Sequence, residues 1–460
     1  MRTWWSSARV WTWAFLIGGT LLRVWHYALN HVIWYDEAVL LDNILDKSYG
    51  ELLGPLRSAV AAPPLYLWLL KSLYLLFGDE PYVWRALPLL AGCANLFLMV
   101  PLARAVLTPH AAAFAVGVLA VSDTHVKLSN TVKPYTLDAL FTTLLLLGLI
   151  RTEHWPAARR LLALAAVAPF VLCFSYPSAF VVGGLLLALR PPDRRTAVAW
   201  LVAAAAVAGT FALLYFGPIR AQRVVKLVTE WEPYYPPLSD PLRLPGWLAS
   251  SFVGVFQDSC NPSGAALALV APLGWWAFWR GGRWRLAVAL AGLFAAVLVA
   301  SAARSYPFGQ NRLMQFASPA VALLGAMGIE VLARWRVWAG VGLAVAVIGV
   351  ADGLSLWRAA FPWQEPDSRG VTRFVNDRRR PGEPVLSDEG GYLYYFHGEL
   401  LPLEAGKDVS VGGRVWAVMD HYTPEERTAH LDAKLAPLGF ERVRAEEFFR
   451  AGAYLYERKR

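Results

Sequence analysis

The sequence predicts an α-helical polytopic membrane protein with a small C-terminal α/β soluble domain, on three observations. Of its 460 residues 57% are hydrophobic, 21 are Trp, and the mean hydropathy is +0.40, more apolar material than the core of a soluble domain needs. Much of it falls in runs of about 20 residues, the length that crosses a bilayer. Charge is concentrated at one end: of 77 charged residues, 32 lie in the last 100 positions. These features place a membrane body at 1–358, with a large first loop at 30–80, and a soluble domain at 359–460.

The spans are expected at residues 11–29, 82–107, 111–122, 134–150, 161–189, 197–216, 264–279, 286–302, 313–332 and 337–356. The first follows Arg2 and Arg9 and carries no small-residue cleavage site, which reads as an uncleaved signal anchor with a cytoplasmic N-terminus. Clusters at Arg104, Arg151/Arg159/Arg160, Arg190/Arg194/Arg195, Arg280/Arg283/Arg285 and Arg334/Arg336 then mark the cytoplasmic ends of later spans. The 161–189 run has basic clusters at both ends, so a single crossing would put one of them outside. Ser175-Tyr176-Pro177-Ser178 at its centre can break the helix, giving two half-length segments that enter and return. The count becomes about eleven crossings. Residues 30–80, 123–133, 217–262 and 304–312 then face outward with the C-terminal domain, in the periplasm or outside the cell for a protein of the inner membrane.

Within the first outward loop, residues 38–45 and 65–77 have helical apolar spacing and read as amphipathic helices on the membrane surface. Residues 367–380, 391–396 and 423–435 of the tail read as helices, and 384–387, 414–419, 440–443 and 453–456 as strands. The alternation suggests a mostly parallel sheet. Acceptor docking and capping of the membrane body are both open for this domain.

Trp34-Tyr35-Asp36-Glu37 places two adjacent carboxylates just beyond the first span. Acids at a helix start stabilise it through capping and the helix dipole. Acids at a bilayer surface also mark functional sites. Outward-facing cations bear on the choice. His125, Lys127 and Lys133 in one loop, and Arg304 and Arg312 in another, oppose the positive-inside trend. Each can snorkel to headgroups, or clamp an anionic group such as a phosphate.

Other chemistries fit less well. The basic residues behind the net charge of +9 sit in short clusters between spans, which argues against nucleic-acid binding. No Gly-rich phosphate loop with a lysine, no His-Glu-x-x-His and no Cys pair for zinc occurs. No local signature supports a Ser-His-Asp nucleophile. No cofactor is indicated with certainty; a divalent metal bridged by Glu37 and His31, His125 or His397 stays open. Cys93, Cys173 and Cys260 form no disulfide framework by their placement. A multi-span lipid or sugar transporter or flippase is the alternative class, but it would place ionisable groups in mid-span and show repeat symmetry.

Residues 22–26 leading into Trp34-Tyr35-Asp36-Glu37-Ala38, then Ala62-Pro63-Pro64-Leu65-Tyr66 and Arg85-Ala86-Leu87-Pro88, resemble the N-terminal part of the GT-C superfamily of membrane glycosyltransferases. The bacterial branch related to protein O-mannosyltransferases and the lipid A aminoarabinose transferase (glycosyltransferase family 39) is the most similar. Lys133-Pro134-Tyr135 and Tyr306-Pro307-Phe308-Gly309 through Arg312 resemble it too. The resemblance covers roughly residues 21–332. It implies inverting transfer of a hexose or pentose from a polyprenyl-phosphate donor to a hydroxyl on a protein, lipid or polysaccharide acceptor at the outer membrane face. It implies Asp36 as general base, with Glu37 positioning acceptor or donor. Lys133 and Arg312, then Lys127, Arg85 and Arg304, are the candidates for the donor phosphate, on topology and charge. Tyr135, Tyr176, His125 and Gln310 are the candidates to line the cavity. Because a phosphate departs readily, no second carboxylic acid is required, unlike in a glycosidase.

Overall fold

A computed structural model describes residues 8–58, 60–191, 193–223, 229, 231–408 and 413–459; Arg2 lies outside them. The chain divides into two compact units. One comprises Met1–Leu29, Leu53–Pro55 and Ala61–Pro362, the other Asn30–Leu52, Leu56–Val60 and Trp363–Arg460. The protein is a multi-span membrane protein whose smaller unit carries its sheet.

The larger unit is helical. Its elements begin with α1 (Ala8–Ala28), while α2 (Tyr35–Asp46) belongs to the other unit. They continue with α3 (Pro64–Phe77), α4 (Pro81–Val106), α5 (Pro109–Val121), α6 (Asp123–Leu128), α7 (Tyr135–Arg151), α8 (Ala157–Phe174), α9 (Ser178–Ala188) and α10 (Arg194–Leu214). After α11 (Leu244–Ser259) come α12 (Gly264–Arg280), α13 (Trp284–Ala302), α14 (Ser318–Trp335) and α15 (Val337–Ala360). Among the described residues six helices have the length and hydropathy to cross a membrane, and α5, α9 and α3 are shorter apolar helices. The 161–189 run is indeed two helices, α8 and α9, separated at Ser175-Tyr176-Pro177. α11 lies in a segment for which the sequence suggested only loop; its apolar stretch is interrupted by Gln257 and Asp258 near its end.

Burial follows lipid exposure. Helices α5 and α14 are buried along almost their whole length, so they form the centre. On α10 and α15, Leu213 and Trp338 are both 77% exposed, the mark of a surface that meets hydrocarbon. Small residues allow close helix packing where water gives no hydrophobic drive. A Cβ on Gly184 of α9 would stand 2.3 Å from the Ala289 carbonyl oxygen of α13, and one on Gly328 of α14 would stand 2.2 Å from that of Val270 on α12.

The smaller unit holds α16 (Ser368–Asn376), α17 (Pro424–Leu435) and strands β1 (Val385–Leu386), β2 (Leu400–Leu401), β3 (Arg414–Asp420), β4 (Phe440–Phe448) and β5 (Ala451–Arg458), with α2 packed on the short helix Gly390–Tyr392. The sheet order is β2-β1-β3-β5-β4. Only β1–β2 and β1–β3 are parallel; β3–β5 and β4–β5 are antiparallel. The expected mostly parallel sheet is therefore a mixed one. Two residues, Phe449 and Arg450, join β4 to β5, which leaves room for a hairpin and none for a crossover. One face buries Val385, Trp416, Val418 and Leu455, and the other Leu386, Val415, Ala417 and Tyr456, following the two-residue period of strands.

Candidate active site

Asp36 and Glu37 occupy the first turn of α2, after an extended Trp34 at the N-cap. Glu37 is buried, and its Oε2 accepts the Trp34 backbone N–H at 3.4 Å, which is the back-reaching half of a capping box. This contact holds Glu37 against the start of α2. Asp36 is half-buried one residue earlier.

The segment holding them is fixed to the tail. Ile33 donates its backbone N–H to the Tyr395 hydroxyl at 2.8 Å, and the Arg369 guanidinium donates to the Asn30 and His31 carbonyls at 3.1 Å each. Gly390 lies under α2 so tightly that a Cβ would meet Tyr35 at 2.7 Å and Val39 at 2.8 Å. At the other end of α2, His397 bridges Asp42 (3.4 Å) and Asp46 (2.8 Å), and Arg57 pairs with the same two acids. Asn43 ties residue 57 to the helix, accepting the Arg57 backbone N–H at 2.8 Å. Sequence reading missed Arg369, Tyr395 and His397 in this role because they lie more than 330 positions away.

All the other candidate residues belong to the larger unit. Its Arg23 is fully enclosed and donates to Ser129 Oγ (3.1 Å) and to the carbonyls of Gly19, Ala120 and Leu119, locking α1 to α5 and α6. His125 lies buried beside it. Desolvation, with the Arg23 charge adding to it, pushes the imidazole down to about 3, so it is a neutral group. Lys127 is half-buried on α6, Lys133 half-buried in the turn before α7, and Arg85 buried on α4.

The helix break is built from polar contacts. Ser175 meets Asp138 of α7 and the Ser178 hydroxyl, the latter at 2.8 Å. Tyr176 donates its hydroxyl to the Ala62 carbonyl at 3.2 Å, while the Ala62 N–H donates to Gln222 at 3.0 Å. The Ala62-Pro63-Pro64 stretch is therefore gripped from both sides, and Gln222 had no signal in the sequence. Tyr135 is buried nearby in sequence to Lys133, and Gln310 is exposed.

Arg304 and Arg312 are not equivalent. Arg304 is exposed and forms an ion pair with Glu232. Arg312 is half-buried, 5.9 Å from the Trp231 ring, and acts electrostatically on Asp258. That aspartate accepts the Gln315 amide at 2.5 Å; burial raises its pKa, and Gln315 and Arg312 oppose the rise. Asp258 escaped the sequence reading because it sits at the end of α11.

For a metal, Glu37 joins no cluster of three ligating side chains among the described residues. His31 lies edge-on to Trp363, His125 is enclosed in the larger unit, and His397 is held between Asp42 and Asp46.

The model of the family described as dolichyl-phosphate-mannose-protein mannosyltransferase matches residues 61–219, about a third of the chain. ArnT from Cupriavidus metallidurans bound to undecaprenyl phosphate superposes with a TM-score of 0.58 at 15% identity, over 99% of this chain and 98% of that one. The chain has the GT-C fold. The apo oligosaccharyltransferase of Archaeoglobus fulgidus matches at a TM-score of 0.55 and 13% identity, over 91% of this chain and 70% of that one. The archaeal AglB from the same organism, in complex with an inhibitory peptide and a dolichol-phosphate, matches at 0.53 and 11%, over 98% and 74%. No curated protein matches in sequence. At these identities the GT-C fold is what is shared, and the chemistry must be argued from this chain's residues.

Proposed function

We propose that this protein is an inverting glycosyltransferase that moves a sugar from a polyprenyl-phosphate donor to a hydroxyl acceptor at the outer face of the plasma membrane. The observation that carries the reading is the similarity along nearly the whole chain to a GT-C structure bound to undecaprenyl phosphate, in a chain with Asp36-Glu37 at the start of α2, shortly after α1. Neighbours bound to dolichol-phosphate and to an acceptor peptide make a polyprenyl-phosphate donor and a protein acceptor natural expectations, with lipid and polysaccharide acceptors as the other hydroxyl sources.

In this reading the Asp36 carboxylate takes the acceptor proton as the acceptor oxygen attacks the anomeric carbon. The bond from that carbon to the phosphate oxygen breaks, and the polyprenyl phosphate leaves with the electron pair. One base and charge stabilisation of the leaving phosphate suffice. Lys133 and Arg312 supply that charge. Arg304 ranks below them because it is exposed and paired with Glu232, whereas Lys133 and Arg312 are half-buried. The N-terminus is cytoplasmic and the smaller unit lies outside.

The test is Asp36→Asn, which keeps the size of the side chain and removes the base. Transfer should fall by about 10²–10⁴-fold with membrane insertion intact. Full turnover in that variant overturns the mechanism. Lys133→Ala and Arg312→Ala should each raise the donor KM; unaltered donor kinetics in both would remove them from the phosphate site.

A further inference from the structure

A second cluster of chemistry-bearing side chains lies in the smaller unit. Glu389 follows β1, Asp420 is the last residue of β3, and His421 comes next. Because β1 and β3 are parallel neighbours, all three project from the carboxyl ends of adjacent strands, where open α/β sheets place their ligands. One donor atom from each lies within 4.8 Å of the others. The imidazole Nδ1 is 2.5 Å from Asp420 Oδ1.

We propose that Glu389, Asp420 and His421 bind a divalent transition-metal ion, zinc or manganese. Two carboxylates and an imidazole form a mixed oxygen and nitrogen set; calcium and magnesium prefer oxygen alone. Three protein ligands leave positions for water on the ion.

Asp420 is buried and Glu389 half-buried. Asp388 points elsewhere, accepting the Leu403 N–H at 2.9 Å. Arg427 and Arg450 both act on Asp420. Arg427 is already committed to Tyr454 at 3.0 Å, to the Tyr422 carbonyl and to Glu447. Gly391 keeps the approach to Asp420 open, since a Cβ there would lie 2.9 Å from Asp420 Oδ2. Bound metal would brace the helix Gly390–Tyr392, on which α2 rests, against the end of β3. The proposal rests on this unit alone and is independent of the transfer reaction.

The full-length protein in detergent micelles, stripped with EDTA and then freed of it, is titrated with Mn²⁺ while free Mn²⁺ is followed by its electron paramagnetic resonance signal. Zn²⁺, Mg²⁺ and Ca²⁺ are added as competitors. The expected result is one ion per chain, displaced by Zn²⁺ but not by equal Mg²⁺ or Ca²⁺, with a rise in melting temperature. Affinity should drop at least tenfold in Glu389→Gln and in His421→Asn, Asn being chosen because it tolerates the left-handed backbone (φ 68°) at that position. Circular dichroism and metal-free melting verify each fold; if one variant misfolds, the other decides. Absence of a stoichiometric ion, or wild-type affinity in a folded variant, overturns the proposal.

Discussion

Replacing Gly390 by alanine tests how the tail governs the helix that carries Asp36. The added Cβ would stand 2.7 Å from Tyr35 Cε2 and 2.8 Å from Val39 Cγ1. Carbon atoms rest at about 3.5–4.0 Å, so roughly 1 Å of separation must be found. Neither contact can yield through a flexible chain end: one is an aromatic ring, the other a methyl of a β-branched residue that is 2% exposed. Overpacking of this kind costs about 1–3 kcal/mol. The relief most directly available is a shift of α2 itself. A displacement of about 1 Å in a catalytic group lowers turnover by roughly 10²-fold, so kcat should fall by that order while the donor KM holds. The assay is transfer kinetics from a polyprenyl-phosphate sugar to an acceptor, with thermal melting in parallel. Gly209→Ala, which meets open space on α10, is the control. A Gly390→Ala enzyme with wild-type kcat and wild-type melting would refute both the packing argument and the link to Asp36.

Three further outcomes are expected. Gly184→Ala forces α9 and α13 apart, because its Cβ would lie 2.3 Å from a backbone oxygen, and should destabilise the larger unit by about 1–3 kcal/mol; an unchanged unfolding midpoint would contradict the close helix packing. His125 is held at about 3 when folded, below its ordinary 6.5, so the unfolded chain binds the proton first as pH falls. Stability present above about pH 6.5 should therefore be lost at up to ~1.4 kcal/mol per pH unit on acidification toward 3, and His125→Asn should remove that slope from melts taken at successive pH values. Arg304→Ala breaks an exposed pair with Glu232 worth no more than about 1 kcal/mol, so donor KM and melting should barely move; a large rise in KM would return Arg304 to the phosphate.

Much of this architecture was legible in the residues. The long apolar runs became helical, 161–189 as two helices and not one, since a chain in hydrocarbon has to satisfy its own backbone. The break at Ser175-Tyr176-Pro177 showed because basic clusters at both ends of one run conflicted with a single crossing. Most of the tail's elements were visible from their periods, the two-residue strand β2 excepted, but the sheet's direction was misread: β4 extends to Phe448 through charged residues, and only the two-residue turn reveals the hairpin. Helix α11 was hidden because its polar C-terminal turn made the segment look like a loop.

For the candidate site, the unusual groups are visible in the chain alone: two acids after the first apolar run, and cations that the positive-inside trend does not call for. Residue type and spacing suffice for that. Tertiary structure decided how each group is occupied. Glu37 caps its own helix, Arg304 is neutralised by Glu232, and Arg312 faces an Asp258 that no motif announced. It also decided that α2 is mounted on Arg369, Gly390, Tyr395 and His397, more than 330 positions later. These are pairings of charge and shape at close range, and a linear pattern carries no record of which distant residue comes within 3 Å.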